Sequence, residues 1–504
     1  MVDVYVIGQG PAELAAALEF AEVGLTVRVG RAASAGRDGA RAESAGSAEA
    51  DEGFSPDDVT DADGSLRAFL DHVASPLSPG GAPVTAAQPV VEPPVRVLLR
   101  GADREWTPQP IPAVLGIPAV PLSQASIAVL GRRGATRAFL DRVRPVLTIG
   151  KTRSLGTLVR TRIGRTALDR LVDPFVLAKF GVLADEVDVA IAVPGLNEDV
   201  TTAGSLCGAA LAYAQRHVAR ETRVRPAGGW QALREALLER LALYGVQVAD
   251  APVTSLRSVA DNGDREAPRG EHWMLDESGS QITARAVVLG DRATRLPGAL
   301  SDPALGDAAL SDAVQGGAVL GQRQSMRWIA DAAVTEPDFG GHVLAGSDPA
   351  DSDASGELNR AALEIVTAPN GECWSVRWER TASAATGAEW RIRMSGPAFS
   401  ADAHHSENVA APQALLDELT HYALEAVGAR RVDGARMNVQ SVPAPFATVE
   451  ARDAARLHTT PVRAGESTCI RVGPEVHSGD IAAAVSDARE VSVHMRRRLT
   501  GIAE

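Results

Sequence analysis

VYVIGQGPAELAAALEFAEVGLTVRV, residues 4–29, is the stretch on which the fold turns. An apolar run, Val4 to Ile7, meets a glycine turn, Gly8-Gln9-Gly10. A helical stretch follows, then Gly24 and a second apolar run, Leu25 to Val29. This β-turn-α-β pattern opens a dinucleotide-binding domain. Gly8 permits the tight turn, and Gly10 lets the backbone approach a pyrophosphate. The helix N-terminus offers N–H groups to that anion. Two positions depart from the pattern. The third glycine of G-x-G-x-x-G belongs at position 13, where Glu13 stands. An acid that would hold a ribose belongs near position 30, where the chain reads Gly30-Arg31.

The 504 residues are enough for two or more domains with sizeable cores. A formal net charge of −14 argues against broad nucleic-acid binding, which needs a basic surface, and against electrostatic docking to anionic lipid. Cys207, Cys373 and Cys469 are far apart and show no metal spacing, so a reducing, cytoplasmic setting is expected. The first strand starts at Val2 with no signal segment read ahead of it, and no apolar run approaches the ~20 residues that span a bilayer.

Along the chain, residues 31–64 read as a polar loop, 66–74 as a short helix, and 95–108 as a hairpin. Residues 122–182 read as helical, with Pro174 breaking or kinking the run. Further helices are expected over about 204–220 and 229–244, the latter with Leu233, Leu237 and Leu241 at helical spacing and Gly245 as a stop. Strands return at 246–249, 253–259, 272–276 and 284–290, and a second sheet lies within 316–395, where CWSVRWE and EWRIRMS alternate. A helix is expected over 411–427 and a last one from about Gly479 towards Arg498. The order predicts an α/β protein: a Rossmann-like FAD/NAD(P)-binding domain (1–94, 221–300, 436–504) interleaved with a substrate domain of helices (95–220) and a mixed β-sheet (301–435).

Several segments together resemble the protoporphyrinogen/coproporphyrinogen oxidase family of the flavin amine-oxidase superfamily. They are VIGQGPAELAAALEFAEVG (6–24), REWTPQPIPAVLGIP (104–118), SLGTLVRTRIGRTALDRLVDPFVLAKFGVLADEVDVAIAVPGL (154–196), RPAGGWQALREALLERL (225–241), ARAVVLGDRATRL (284–296), VPAPFATV (442–449) and IRVGPEVHSGDIAAAVSDA (470–488). The third is the most specific. The resemblance implies FAD, a porphyrinogen or other apolar small-molecule substrate, and an oxidant. The flavin would carry the chemistry, so no triad or metal site is expected. It also implies site residues: Gly8, Gly10, Pro11 and Ala12 at the pyrophosphate, the Val253 backbone at adenine, and Gly473, Gly479, Asp480 and Ile481 towards the flavin end.

The departures carry a cost. Glu13 suits an empty helix N-terminus but opposes a diphosphate. With the lost ribose contacts, roughly 3–5 kcal/mol of binding is at stake, a hundred- to several-thousand-fold in affinity. Arg31, Arg37 and Arg41 are candidates to compensate. Pro474 follows Gly473 where the family has an acid, and Asp480 reads as a helix cap. Two functions stay open: an FAD-dependent oxidoreductase, or a non-catalytic relative that kept the fold, lost tight FAD binding and serves protein partners. His404-His405, His477, Cys207 and Trp374, Trp378 and Trp390 read as loop or packing residues.

Overall fold

A computed structural model of the chain describes residues 1–32, 59–61, 63–76, 78, 80–92, 96–144, 152–216, 223–259, 272–290, 324–340, 360–383, 387–401, 412–454 and 468–501. The chain divides into two compact units, one formed by Met1–Pro93, Ala219–Gln322 and Ala454–Glu504, the other by Pro94–Val218 and Arg323–Asp453. The protein is thus α/β, with a Rossmann-like unit interleaved along the sequence with a unit of helices and a mixed sheet.

In the first unit, β1 (Val2–Ile7), α1 (Pro11–Ala21) and β2 (Val27–Gly30) form the expected opening. β1 lies centrally, parallel to β2 on one side and to strand Ser280–Leu289 on the other. Strands His272–Glu277 and Val253–Val259 extend the sheet antiparallel, and Cys469–Arg471 adds in parallel to Ser280–Leu289. Alternation sends Val4 and Val6 into the helical layer, and Tyr5 and Ile7 into the core on the other face. Every residue of α1 is buried. Its alanines, Ala15 to Ala17, bring the helix close to its neighbours, among them the terminal helix Ile481–Leu499. Glu19 of α1 is tied to that helix by Arg489 at 2.8 Å and Arg496 at 2.7 Å. Helix Gly229–Leu243 buries Leu233, Leu237 and Leu241, and Gly245, at φ +78°, follows its end.

In the second unit the main sheet runs in the order Phe399–Ala401, Gln324–Val334, Gly387–Ser395, Cys373–Ser383, Arg360–Thr367, Arg96–Arg100, Trp106–Pro108, with Asn438–Pro443 also paired to Gln324–Val334. One face carries Trp374, Val376 and Trp378 into a core with helix Gln413–Glu425. Trp106 packs edge-on against Trp378, with ring centroids 5.5 Å apart. The helical part is finer-grained than the periodicity suggests. Residues Leu168–Val172 widen into a π-turn, and a new helix, Asp173–Phe180, starts directly after it with Pro174 in its first turn, where a missing N–H costs nothing.

Candidate cofactor site

Three glycines end three neighbouring parallel strands: Gly8 after β1, Gly30 on β2 and Gly290 after Ser280–Leu289. Their backbones are knitted together, Gly8 N–H donating to the Gly30 carbonyl (2.9 Å) and Gly290 N–H to the Ile7 carbonyl (2.8 Å). The carboxyl ends of parallel strands are where this fold class binds nucleotides. Gly8 has φ +137°, which only glycine adopts without strain, and Gly10 is the N-cap of α1. Pro11 starts the helix without an N–H, so the first-turn donor set is already one short.

The Glu13 side chain fills the cradle. It is 3% exposed. A Cβ built on Gly8 would meet its Cγ at 2.7 Å, one on Gly10 its Oε2 at 2.6 Å, and one on Gly290 its Oε1 at 2.2 Å. The hollow that three glycines leave open is therefore occupied by the protein's own carboxyl group. Ala12 beside it is buried in the helix–sheet core. Gln9, in the middle of the turn, accepts from Arg234 Nη2 at 2.6 Å.

The place where the sequence pattern expects a ribose-binding acid is filled in a similar way. The missing side chain of Gly30 is replaced in space by Tyr5, whose hydroxyl lies 2.3 Å from where a Gly30 Cβ would be. Tyr5 is fully buried, and its hydroxyl donates to Glu277 Oε1 at 2.5 Å. Arg28 grips both oxygens of the same carboxylate, Nε to Oε1 and Nη2 to Oε2, each at 2.6 Å. Burial, and then the Glu277 carboxylate, raise the Tyr5 phenol far above its ordinary value, so it stays a donor. The hydrogen bond from Arg28 holds the Glu277 carboxyl below the usual carboxylate range. The backbone N–H of Val253 donates to the Arg31 carbonyl at 2.7 Å, and Ala32 bridges Val253 in parallel. That N–H is spent within the sheet.

At the residues expected towards a flavin, Gly473 turns at φ +121° into the short Pro474–His477 helix, and Gly479 at φ +86° leads into the last helix. The Asp480 carboxyl caps that helix by accepting from Ala483 N–H at 3.0 Å, and Ile481 is buried against its core. His477 pairs with Asp487 at 3.1 Å. Arg37, Arg41, His404 and His405 lie outside the described residues. Among the described residues no cluster of metal-ligating side chains occurs, and no helix is long and apolar enough to cross a membrane. Burial pushes the Cys207 thiol up to about 12, against any nucleophilic role.

As the side chains stand, these residues do not fit an FAD. Glu13 fills the hollow where a pyrophosphate is expected, Tyr5 the space where a ribose-binding acid is expected, and the Val253 N–H is engaged. The sequence pattern flags Glu13 and Gly30. It does not flag Tyr5, Glu277, Arg28 or Gly290, although a tyrosine inside an apolar strand three places before the turn, opposite a glycine-ended strand, is a large-for-small exchange that can be sought.

No family model and no curated protein matches the chain. Solved structures do. A "putative protoporphyrinogen oxidase" from Exiguobacterium sp. 255-15 aligns with TM-score 0.62 at 15% identity, over 98% of this chain and 99% of that one. Cyclohexylamine oxidase from Brevibacterium oxydans aligns with TM-score 0.52 at 11% identity, over 99% of both chains. An oxidoreductase from Methanosarcina mazei gives 0.51 at 14%, over 97% of this chain and 100% of that one. At such identities the likeness is one of architecture: the chain has the fold of these oxidase and oxidoreductase structures, end to end.

Proposed function

We propose that this protein uses the flavin amine-oxidase fold without a tightly held FAD, as a non-catalytic binding or scaffolding protein. The observation that carries this reading is the Glu13 side chain in the hollow between Gly8, Gly10 and Gly290. A diphosphate approaching those glycines meets a carboxyl group first. The Tyr5 hydroxyl in place of a Gly30 side chain supports it independently. The test is the visible spectrum of the purified protein, with flavin release after denaturation and a titration of the intact protein with micromolar FAD. A colourless protein that takes up no FAD is expected; stoichiometric flavin overturns the reading.

The second reading is an FAD-dependent oxidoreductase acting on a porphyrinogen-like or other apolar substrate. It is favoured by the intact Gly8–Gly10 turn and by alignment over the full length of oxidase chains. It requires Glu13 to leave the cradle when FAD binds. Stoichiometric flavin, followed by flavin bleaching on anaerobic addition of protoporphyrinogen, would establish it.

A further inference from the structure

Among the described residues Arg327 has no counter-ion. It sits on strand Gln324–Val334, opposite Val442 of the neighbouring strand. Its Nη1 donates to the Ala178 carbonyl of helix Asp173–Phe180 at 2.8 Å. Its Nε is sealed from solvent and has no acceptor. Among the described residues no carboxylate pairs with it. Arg327 is partly exposed with its Nε enclosed, and a charge held largely out of water is normally paired, because an unpaired one forfeits hydration with nothing in return.

The carboxylates described on the same sheet face stand away from Arg327. Strand register places Arg327, Asp331, Arg377, Glu379, Arg391 and Arg393 on one face of the sheet, opposite to the tryptophan face. On that face Arg393 bonds Asp331 at 2.7 Å. Glu379 is shared by Arg377 at 3.0 Å and Arg391 at 2.6 Å. Both carboxylates are engaged by these arginines and lie at the other end of the face from Arg327. Burial, with Arg393 nearby, lowers Arg327 to about 10, so it still carries its charge at neutral pH.

We propose that Arg327 anchors a small-oxyanion site on this sheet face, where a carboxylate or phosphate group of a ligand completes the guanidinium fork. Arginine is suited to this because its planar donors match both oxyanions in a bidentate way. A residue kept for stability alone would not be left as an unpaired cation; an apolar side chain of similar length would serve better. The site lies within the second unit and stands whether or not the first unit holds a nucleotide.

The test uses the full chain and two probes, sodium succinate and sodium phosphate, at constant ionic strength against a sodium chloride control. Melting temperature and calorimetric titration are read for wild type, Arg327→Met and Arg327→Lys. Wild type is expected to gain several degrees with one or both probes. Arg327→Met should lose that response, with an apparent Kd at least tenfold weaker, while melting at or above wild type in chloride. Arg327→Lys, which keeps charge but not the fork, should fall between. A response to succinate alone assigns a carboxylate ligand, and to phosphate alone a phosphate ligand. No response in wild type at tens of millimolar, or an equal response in Arg327→Met, overturns the proposal. So does an Arg327→Met variant that melts lower than wild type in chloride when wild type ignores both anions, because Arg327 would then be structural.

Discussion

Replacing Glu13 separates volume from charge in the closed cradle. Glu13→Gln keeps the side-chain volume that lies 2.2 to 2.7 Å from the built Cβ positions of Gly290, Gly10 and Gly8. Glu13→Gly removes it. A carboxylate about 4 Å from one unit of phosphate charge costs about 4 kcal/mol at an effective dielectric constant of about 20. That is about a thousandfold in Kd. If charge were the whole obstacle, both variants would gain that factor for ADP. The geometry says otherwise, because the glutamine amide would stand where the phosphates must pass. The expected result is a large gain for Glu13→Gly, about a thousandfold or more, and little for Glu13→Gln. The gain has a cost of about 1 kcal/mol for glycine inside a helix. Loss of a first-turn acid adds about 0.3–1 kcal/mol, so the Glu13→Gly variant should melt a few degrees lower without ligand. Calorimetric titration with ADP and with FAD, alongside melting curves, reads all of this. Equal gains in the two variants would refute the volume argument. No gain in a folded Glu13→Gly variant would move the obstacle to Tyr5 and the Arg31–Val253 contact.

Three further outcomes are expected. Gly30→Glu, the change that would restore a ribose-binding acid, should destabilise by about 1–3 kcal/mol through overpacking, since its Cβ would lie 2.3 Å from the Tyr5 hydroxyl; denaturant unfolding checks it, and an unchanged midpoint would mean Tyr5 moves freely. Burial, with Asp169 and Asp185 adding to it, raises Asp173 from 3.8 to about 6, so the folded state holds the extra proton and stability falls as pH rises from about 4 to 6. Asp173→Asn keeps an acceptor for the Ala184 N–H at 3.1 Å and should be more stable than wild type by about 1–2 kcal/mol at pH 8, less at pH 5, in urea unfolding. Burial pushes Cys469, like Cys207, up to about 12, so iodoacetamide on the native protein at pH 8 should modify Cys373 first, the partly exposed thiol; mass spectrometry of timed samples would show a contrary order.

What could be seen in the sequence follows from what is local. The opening β-turn-α-β depends on contacts within thirty residues, so Gly8, Gly10 and the apolar runs announce it. Leu233, Leu237 and Leu241 follow from helix period, and the alternation of Trp374, Val376 and Trp378 from strand period. Asp480 is legible as a cap because capping spans three residues. The π-turn before Pro174 is not, since period alone does not distinguish a widened turn from a straight helix. The occupants of the site are the least legible. Tyr5 meets Glu277 across 272 positions of sequence. Arg28 joins them from another strand, and Gly290 reaches the glycine turn only through sheet pairing.

On the proposed reading, in which the fold is kept without FAD, the two occupants bear on whether the nucleotide end was left hollow or repacked. A cofactor site that only decays should leave a hollow, and buried hollows destabilise by about 24 cal/mol per Å³. Here each gap is filled by a side chain from an adjacent position: Glu13 between three glycines, and Tyr5 where Gly30 has no side chain. The Tyr5 hydroxyl has its acceptor in Glu277, and Glu277 has its cation in Arg28. A fully satisfied buried network stabilises, whereas a half-satisfied one does not. The closed form is therefore a packed alternative to the occupied one. Opening one position leaves the other closed, so reversal of Glu13 alone should give binding through the phosphates with a loose adenosine end. ADP and inorganic pyrophosphate should then bind the Glu13→Gly variant with similar affinity. A strong preference for ADP would show that Tyr5 already leaves room for the nucleoside.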